Sequence, residues 1–185
     1  MLAKLFQVMR RLFFRFISTN KVIGKPRLLQ PLHAVGKGSI DLSKGVTAGY
    51  YPSPYFFTSC AYFEARNTSA SIRVAEGTAI NNGFVAIAEH TSIEIGRHCL
   101  IGTNVEIYDS DFHGLAVDER QRSKAEWAAP VKVGSHVFIG SNVKIMKGVV
   151  IGDGAVVANG SVVVKDVAAH CVAGGNPARL IKQLS

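Results

Sequence analysis

From Ile95 onward, with one interruption after Ile107, the chain returns to a β-branched aliphatic residue every six positions, at Ile95, Ile101, Ile107, Val133, Ile139, Ile145, Ile151, Val157 and Val163. An α-helix cannot keep such a period on one face, because six residues turn the chain through about 600° and scatter the anchors around the axis. A solenoid of short strands can. Four residues past the anchors stand Cys99, Val105, Val137, Val143, Val149, Ala155, Ser161 and Val167, a second inward row broken only by Asp111. Gly follows the anchor at 96, 102, 134, 140 and 152, where a sharply turning chain needs glycine's backbone freedom. Each hexad therefore reads as a strand plus a corner, unstable alone and stable when stacked. A blurred version of the pattern at Val74, Ile80, Ile87 and Ile93 starts the stack near residue 70.

These hexads, such as Ile95-Gly-Arg-His-Cys-Leu100 and Ile139-Gly-Ser-Asn-Val-Lys144, resemble those of the hexapeptide-repeat acyltransferases. The resemblance implies a left-handed parallel β-helix and a homotrimer. Handedness comes from the resemblance alone, since parallel crossovers are otherwise right-handed as a rule. The expected class is mainly β: an amphipathic basic helix over 1–20, an irregular region and cap over 21–70, the β-helix acyltransferase domain over 71–168, and a tail with a short C-terminal helix over 169–185.

The repeat breaks at a polar stretch, residues 113–129, and resumes in register, so the insertion is a loop projecting from one corner. Just before it, Asp109-Ser-Asp-Phe-His113 puts Asp109, Asp111 and His113 on one side of an extended strand. Imidazole is suited to general-base work, with Asp109 or Asp111 holding its second nitrogen. Two other readings stand beside it: a histidine satisfying hydrogen bonds at the core edge, or an Asp-x-Asp-x-His metal site. The metal reading is the weakest, because such sites recruit more His or Cys, and no metal is expected. In the sugar acetyltransferases that the segment resembles, the catalytic His sits at the mouth of this loop.

The same resemblance aligns Asn82 with an active-site Asn that meets the His across a subunit boundary, with Asn81 as fallback; a turn asparagine is the alternative. The closing Gly174-Gly-Asn-Pro-Ala178 is similar to the family's final motif. There acetyl-CoA lies between subunits, which implies that Lys165, Arg179 and Lys182 meet phosphate. Ala155, Ala158 and Ser161 would let the pantetheine arm approach the backbone, and Phe138 stands where relatives often carry Trp. The implied reaction is O-acetylation of a bacterial surface glycan or its precursor, as in the capsule and lipopolysaccharide branch. An N-acetyltransferase of nucleotide-linked amino sugars and a non-enzymatic β-helix scaffold are the rivals.

Charge adds a constraint. The net charge is +8 with 18% charged residues, which favours an anionic partner, and the basic residues crowd near both ends. The two patches have separate roles, and nucleic acid is not the expected partner. Three widely spaced cysteines form no CxxC pair, consistent with a reducing cytoplasm, and no run of eighteen apolar residues exists. Leu2, Leu5, Phe6, Met9, Leu12, Phe13, Phe16 and Ile17 form one stripe of a helix, with Lys4, Arg10, Arg11 and Arg15 elsewhere. The stripe packs on this chain's body or a neighbouring subunit, or rests on anionic lipid at the inner face of the cell membrane.

Overall fold

The computed structural model describes residues 2–184. Three parallel sheets form the faces of a left-handed β-helix, and the chain visits them in turn. The first face runs from Val22–Gly24 through Ser39–Leu42, Ser71–Val74, Ser92–Ile95 and Val131–Val133 to Val150–Ile151. Beginning at Arg27–Leu28 and Leu32–Gly36, the second and third faces are stacked the same way. The anchors form the ladders that the repeat demands. Val74, Ile95, Val133 and Ile151 stack on the first face, and Ile80, Ile101, Ile139 and Val157 on the second. On the third, Ile107, Ile145 and Val163 continue from Ala86. All of these side chains are buried.

Three expectations are corrected. The stack begins at Val22 rather than near residue 70, so most of 21–70 is regular coil. Its inward positions are Ala34, Ile40, Leu42, Val46, Ala48, Ala61, Phe63 and Ala65, where alanines opposite a large Phe hide the aliphatic period. Ile87 is no anchor: it points outward while Ala86 and Ala88 point in. The tail is not helical. Ala178–Gln183 folds back antiparallel on Cys171–Gly175, because Gly174, Gly175 and Pro177 favour a turn.

The corner glycines also have a different role. Positive φ falls three residues after the anchor, at His98, Asn104, His136, Asn142, Gly148, Gly154 and Gly160. Glycine, asparagine and histidine are the residues that best tolerate this region. Glycine directly after the anchor serves close approach between coils instead. A Cβ on Gly152 would lie 2.4 Å from Ala169 N, and one on Gly140 2.7 Å from Asn159 N.

Helix α1, Leu2–Ile17, lies across the first coil inside out. Its inward residues are Gln7, Arg10, Arg11 and Phe14, while the apolar stripe faces solvent. The reason is what the helix covers: an end coil whose backbone carbonyls have no next coil to bond. Gln7 Nε2 donates to Leu29 O and Phe56 O, Arg10 to Phe56 O and Ser59 O, and Arg11 to Leu28 O at 2.7 Å. Beyond the helix, Ser18 Oγ accepts from Ala34 N, while Thr19 N and Asn20 N donate to Ala34 O. The expectation that the stripe packs on this chain's own body does not hold. Among the described residues no helix is long and apolar enough to cross a membrane.

Candidate active site

The chain leaves the rod after Glu106–Tyr108 on the third face and re-enters at Val131–Val133 on the first, so the loop emerges at a corner. Its neck is closed by Ala129 N donating to Asp109 O at 2.8 Å. Lys147, one coil on, donates to Asp111 Oδ2 and to Trp127 O, both at 2.6 Å, and so clamps both arms of the loop.

Between loop and rod opens a cleft of ≈ 980 Å³ bordered by Arg66, Glu89, Tyr108, Asp111, Phe112 and His113. His113 is exposed there, and its Nδ1 lies 2.7 Å from Arg120 O. A carbonyl only accepts, so this bond assigns the proton to Nδ1 and leaves Nε2 with a free lone pair. The group orienting the ring is thus a loop carbonyl and neither expected aspartate. Asp111 is taken by Lys147. Asp109 is fully buried and accepts from Glu89 N, His90 N and Thr91 N and Oγ1, capping the corner of the preceding coil.

The floor of the cleft contains groups that the repeat pattern did not single out. Arg66 donates to Glu64 at 2.7 Å and Glu89 at 2.9 Å, and Ser123 Oγ donates to Glu89 at 2.6 Å, tying the loop to the rod. Burial alone would raise the Glu89 carboxyl, but hydrogen bonds from Ser123, Ser110 and Arg66 outweigh it and hold the group below the usual range. Burial, with Glu64 beside it, pushes the Tyr62 phenol up to about 12. The Arg66 guanidinium sits 4.9 Å from the Phe112 ring centroid, and Phe112 holds a positive φ of 61°. Arg66 and Glu89 were legible only with the coil register in hand: Ala65 pairs with Ala88, which makes 66 and 89 one column.

Asn82 is not at this cleft. It is 0% exposed, and its amide is consumed by the aromatic cap segment. Oδ1 accepts from Tyr50 N at 3.1 Å, and Nδ2 donates to Tyr50 O and Pro54 O at 3.0 and 2.8 Å. Within one chain both Nδ2 hydrogens are thus taken by the cap segment, whereas the expected meeting of Asn82 with His113 lies across a subunit boundary. Asn81, half-buried, accepts from Asn82 N through its own Oδ1.

The residues expected to meet the coenzyme lie elsewhere on the rod. Phe138 is on the second face, in an outward row with Leu100 and Val156. Ala158, Ser161 and Gly174 crowd one end of that face, where a Cβ on Gly174 would come within 3.0 Å of Ala158 Cβ. Ala155 is fully buried inside the coil. Lys165, Arg179 and Lys182 are exposed near the same end. None of these residues borders the His113 cleft within one chain.

Fold and repeat together define the class. The fold is a β-helix of six-residue repeats, and residues 130–165 match the family described as bacterial transferase hexapeptide (six repeats). A polysialic acid O-acetyltransferase of Escherichia coli O1:K1 is 37% identical over 114 residues, covering 62% of this chain and 37% of that protein. This chain thus spans little over a third of that curated relative. Among solved structures, a polysialic acid O-acetyltransferase, OatWY, is 26% identical, with a TM-score of 0.63 over 88% of this chain and 74% of its own. A hexapeptide-repeat acetyltransferase from Vibrio cholerae, complexed with acetyl coenzyme A, is 26% identical, with a TM-score of 0.51 over 96% and 78%.

Proposed function

We propose that this chain is an acetyl-CoA-dependent O-acetyltransferase that modifies a sugar hydroxyl of a bacterial surface glycan or its precursor. The observation that carries the reading is His113: an exposed imidazole at the edge of a roomy cleft, whose Nδ1 proton is tied to Arg120 O and whose Nε2 is left free. The similarity to polysialic acid O-acetyltransferases supports the acceptor class.

His113 Nε2 removes the proton of an acceptor hydroxyl, which then attacks the thioester carbonyl. Coenzyme A supplies an activated acetyl group and a good thiolate leaving group. The imidazolium returns its proton to that sulfur, so the products are an acetyl ester and a free thiol. Backbone N–H groups at the cleft stabilise the tetrahedral oxyanion. No acyl-enzyme is needed, and burial pushes the Cys99 thiol up, which makes it a poor nucleophile.

Close packing at Ala158 and Gly174, over the buried Ser161, leaves a side-chain-poor surface suited to an extended pantetheine arm, and Lys165, Arg179 and Lys182 would hold the phosphates. Arg179 and Lys182, on the second face, are set apart from His113 on the loop after the third, an offset that supports a homotrimer whose neighbouring chains complete each site. The apolar outward row of Leu100, Phe138 and Val156 suits such an interface.

The test is free-thiol release from acetyl-CoA over a panel of hydroxyl and amino sugars, with native protein and His113→Ala. Turnover with hydroxyl acceptors that collapses in the variant is expected. Turnover on amines alone would favour N-acetylation, and absence of both turnover and coenzyme binding would favour the scaffold.

A further inference from the structure

Charge in this chain is segregated more sharply than its total suggests. Residues 1–40 carry eight of the 21 Lys and Arg and none of the 13 Asp and Glu. The remainder holds 13 of each, so the net +8 belongs wholly to the first 40 residues. The described residues among them form α1, the first coil and the start of the second, one end of the rod.

That end is also the most apolar exposed surface. Because α1 turns its polar face to the coil, Leu2, Phe13 and Phe16 are 80%, 57% and 88% exposed, and Leu5, Met9 and Leu12 are exposed with them. Ile23, in the first strand, is 57% exposed between exposed Lys21 and Lys25. An open groove of ≈ 900 Å³ separates α1 from the first coil, bordered by Arg11, Arg15, Lys21 and Lys25.

We infer that this end of the rod docks on an anionic lipid bilayer, with the α1 ridge inserted among acyl chains and the surrounding cations on headgroup phosphates. The pairing of an apolar ridge with unbalanced cations selects the occupant. A second copy of the same end would bring eight uncompensated cations against eight more. A soluble polyanion would neutralise the cations but leave the ridge in water. A bilayer with acidic headgroups accommodates both. The helix is held by Gln7, Arg10 and Arg11 on its inner side, so insertion needs no unfolding and carries the rod to the surface end-on. The inference is independent of the catalytic reading.

The experiment is co-flotation of the full chain with vesicles of phosphatidylcholine alone and of an equimolar mixture with phosphatidylglycerol, alongside light scattering. Native protein floats with the mixed vesicles, and added salt weakens binding. Phe13→Ser with Phe16→Ser lowers the partition coefficient about 100-fold, from the value of two buried aromatic rings. Lys21→Glu with Lys25→Glu lowers it at least ~20-fold. All four side chains are exposed, so circular dichroism stays native. Three results overturn the inference: no flotation with either vesicle, unchanged partition in the Phe variant, or loss of oligomer mass in that variant with partition intact.

Discussion

Replacing Asn82 separates two roles that the sequence leaves open. The side chain is fully buried and makes three hydrogen bonds to the backbone of Tyr50 and Pro54. Asn82→Ala removes the partner of one N–H and two C=O groups of the cap segment, at ~1–3 kcal/mol for each that is left unsatisfied. We expect a loss of roughly 3–5 kcal/mol in urea unfolding followed by circular dichroism. Asn82→Asp keeps the shape but turns the donor into a carboxylate facing two carbonyl oxygens. Its folded-state pKa is raised, so the variant is relieved below the unfolded-state value of about 3.9. The deficit then grows as pH rises through the higher folded value. If Asn82→Ala instead unfolds within about 0.5 kcal/mol of native while turnover collapses, Asn82 acts on substrate across a subunit boundary and the tether argument fails.

Other predictions follow from single features. His113→Gln lowers kcat by ~10²–10⁴ without moving the thermal midpoint, because the ring is exposed; retained turnover would place the base elsewhere. Gly140→Ala costs ~1–3 kcal/mol by overpacking against Asn159. Gly160→Ala meets no atom within 4 Å and costs ~1–2 kcal/mol through its φ of +69° alone. Asparagine should therefore rescue position 160 and not position 140, a contrast read by thermal melting. Glu89 titrates below its ordinary range, so its stabilisation is complete above the unfolded value of about 4.3 and is lost as pH falls through the lower folded value. Glu89→Gln flattens that acid limb of the stability profile, and an unchanged limb would contradict the assignment.

The hexads after Ile95 were legible because each coil there is built alike, with β-branched anchors and compact corners. Before residue 70 the same coils use Ala34, Ala48, Ala61 and Ala65 inside, and the cap segment around Tyr50–Phe57 lengthens one corner. A period counted on large aliphatics misses both. His113 and the loop could be located because the repeat visibly stops there. Its surroundings could not, since Arg120 O, which bonds the ring, and Glu89 and Arg66, which border the same cleft, reach the site through loop closure and coil stacking, which no local spacing encodes. The α1 stripe was read correctly as a stripe, but its direction depends on what lies beneath: open backbone carbonyls attract arginines where a finished core would have attracted leucines.

A rod of stacked coils has a hazard that its sides do not share: each end is a template onto which another rod could add indefinitely. Both ends are stopped by different means. At one, the returning strand Ala178–Gln183 runs antiparallel, so the surface it offers no longer matches the parallel rungs of a second molecule. At the other, α1 occupies the rungs with guanidinium and amide groups. Removing α1 should therefore open one end while the returning strand still closes the other, which permits two rods to pair at the bared coil but not to grow lengthwise.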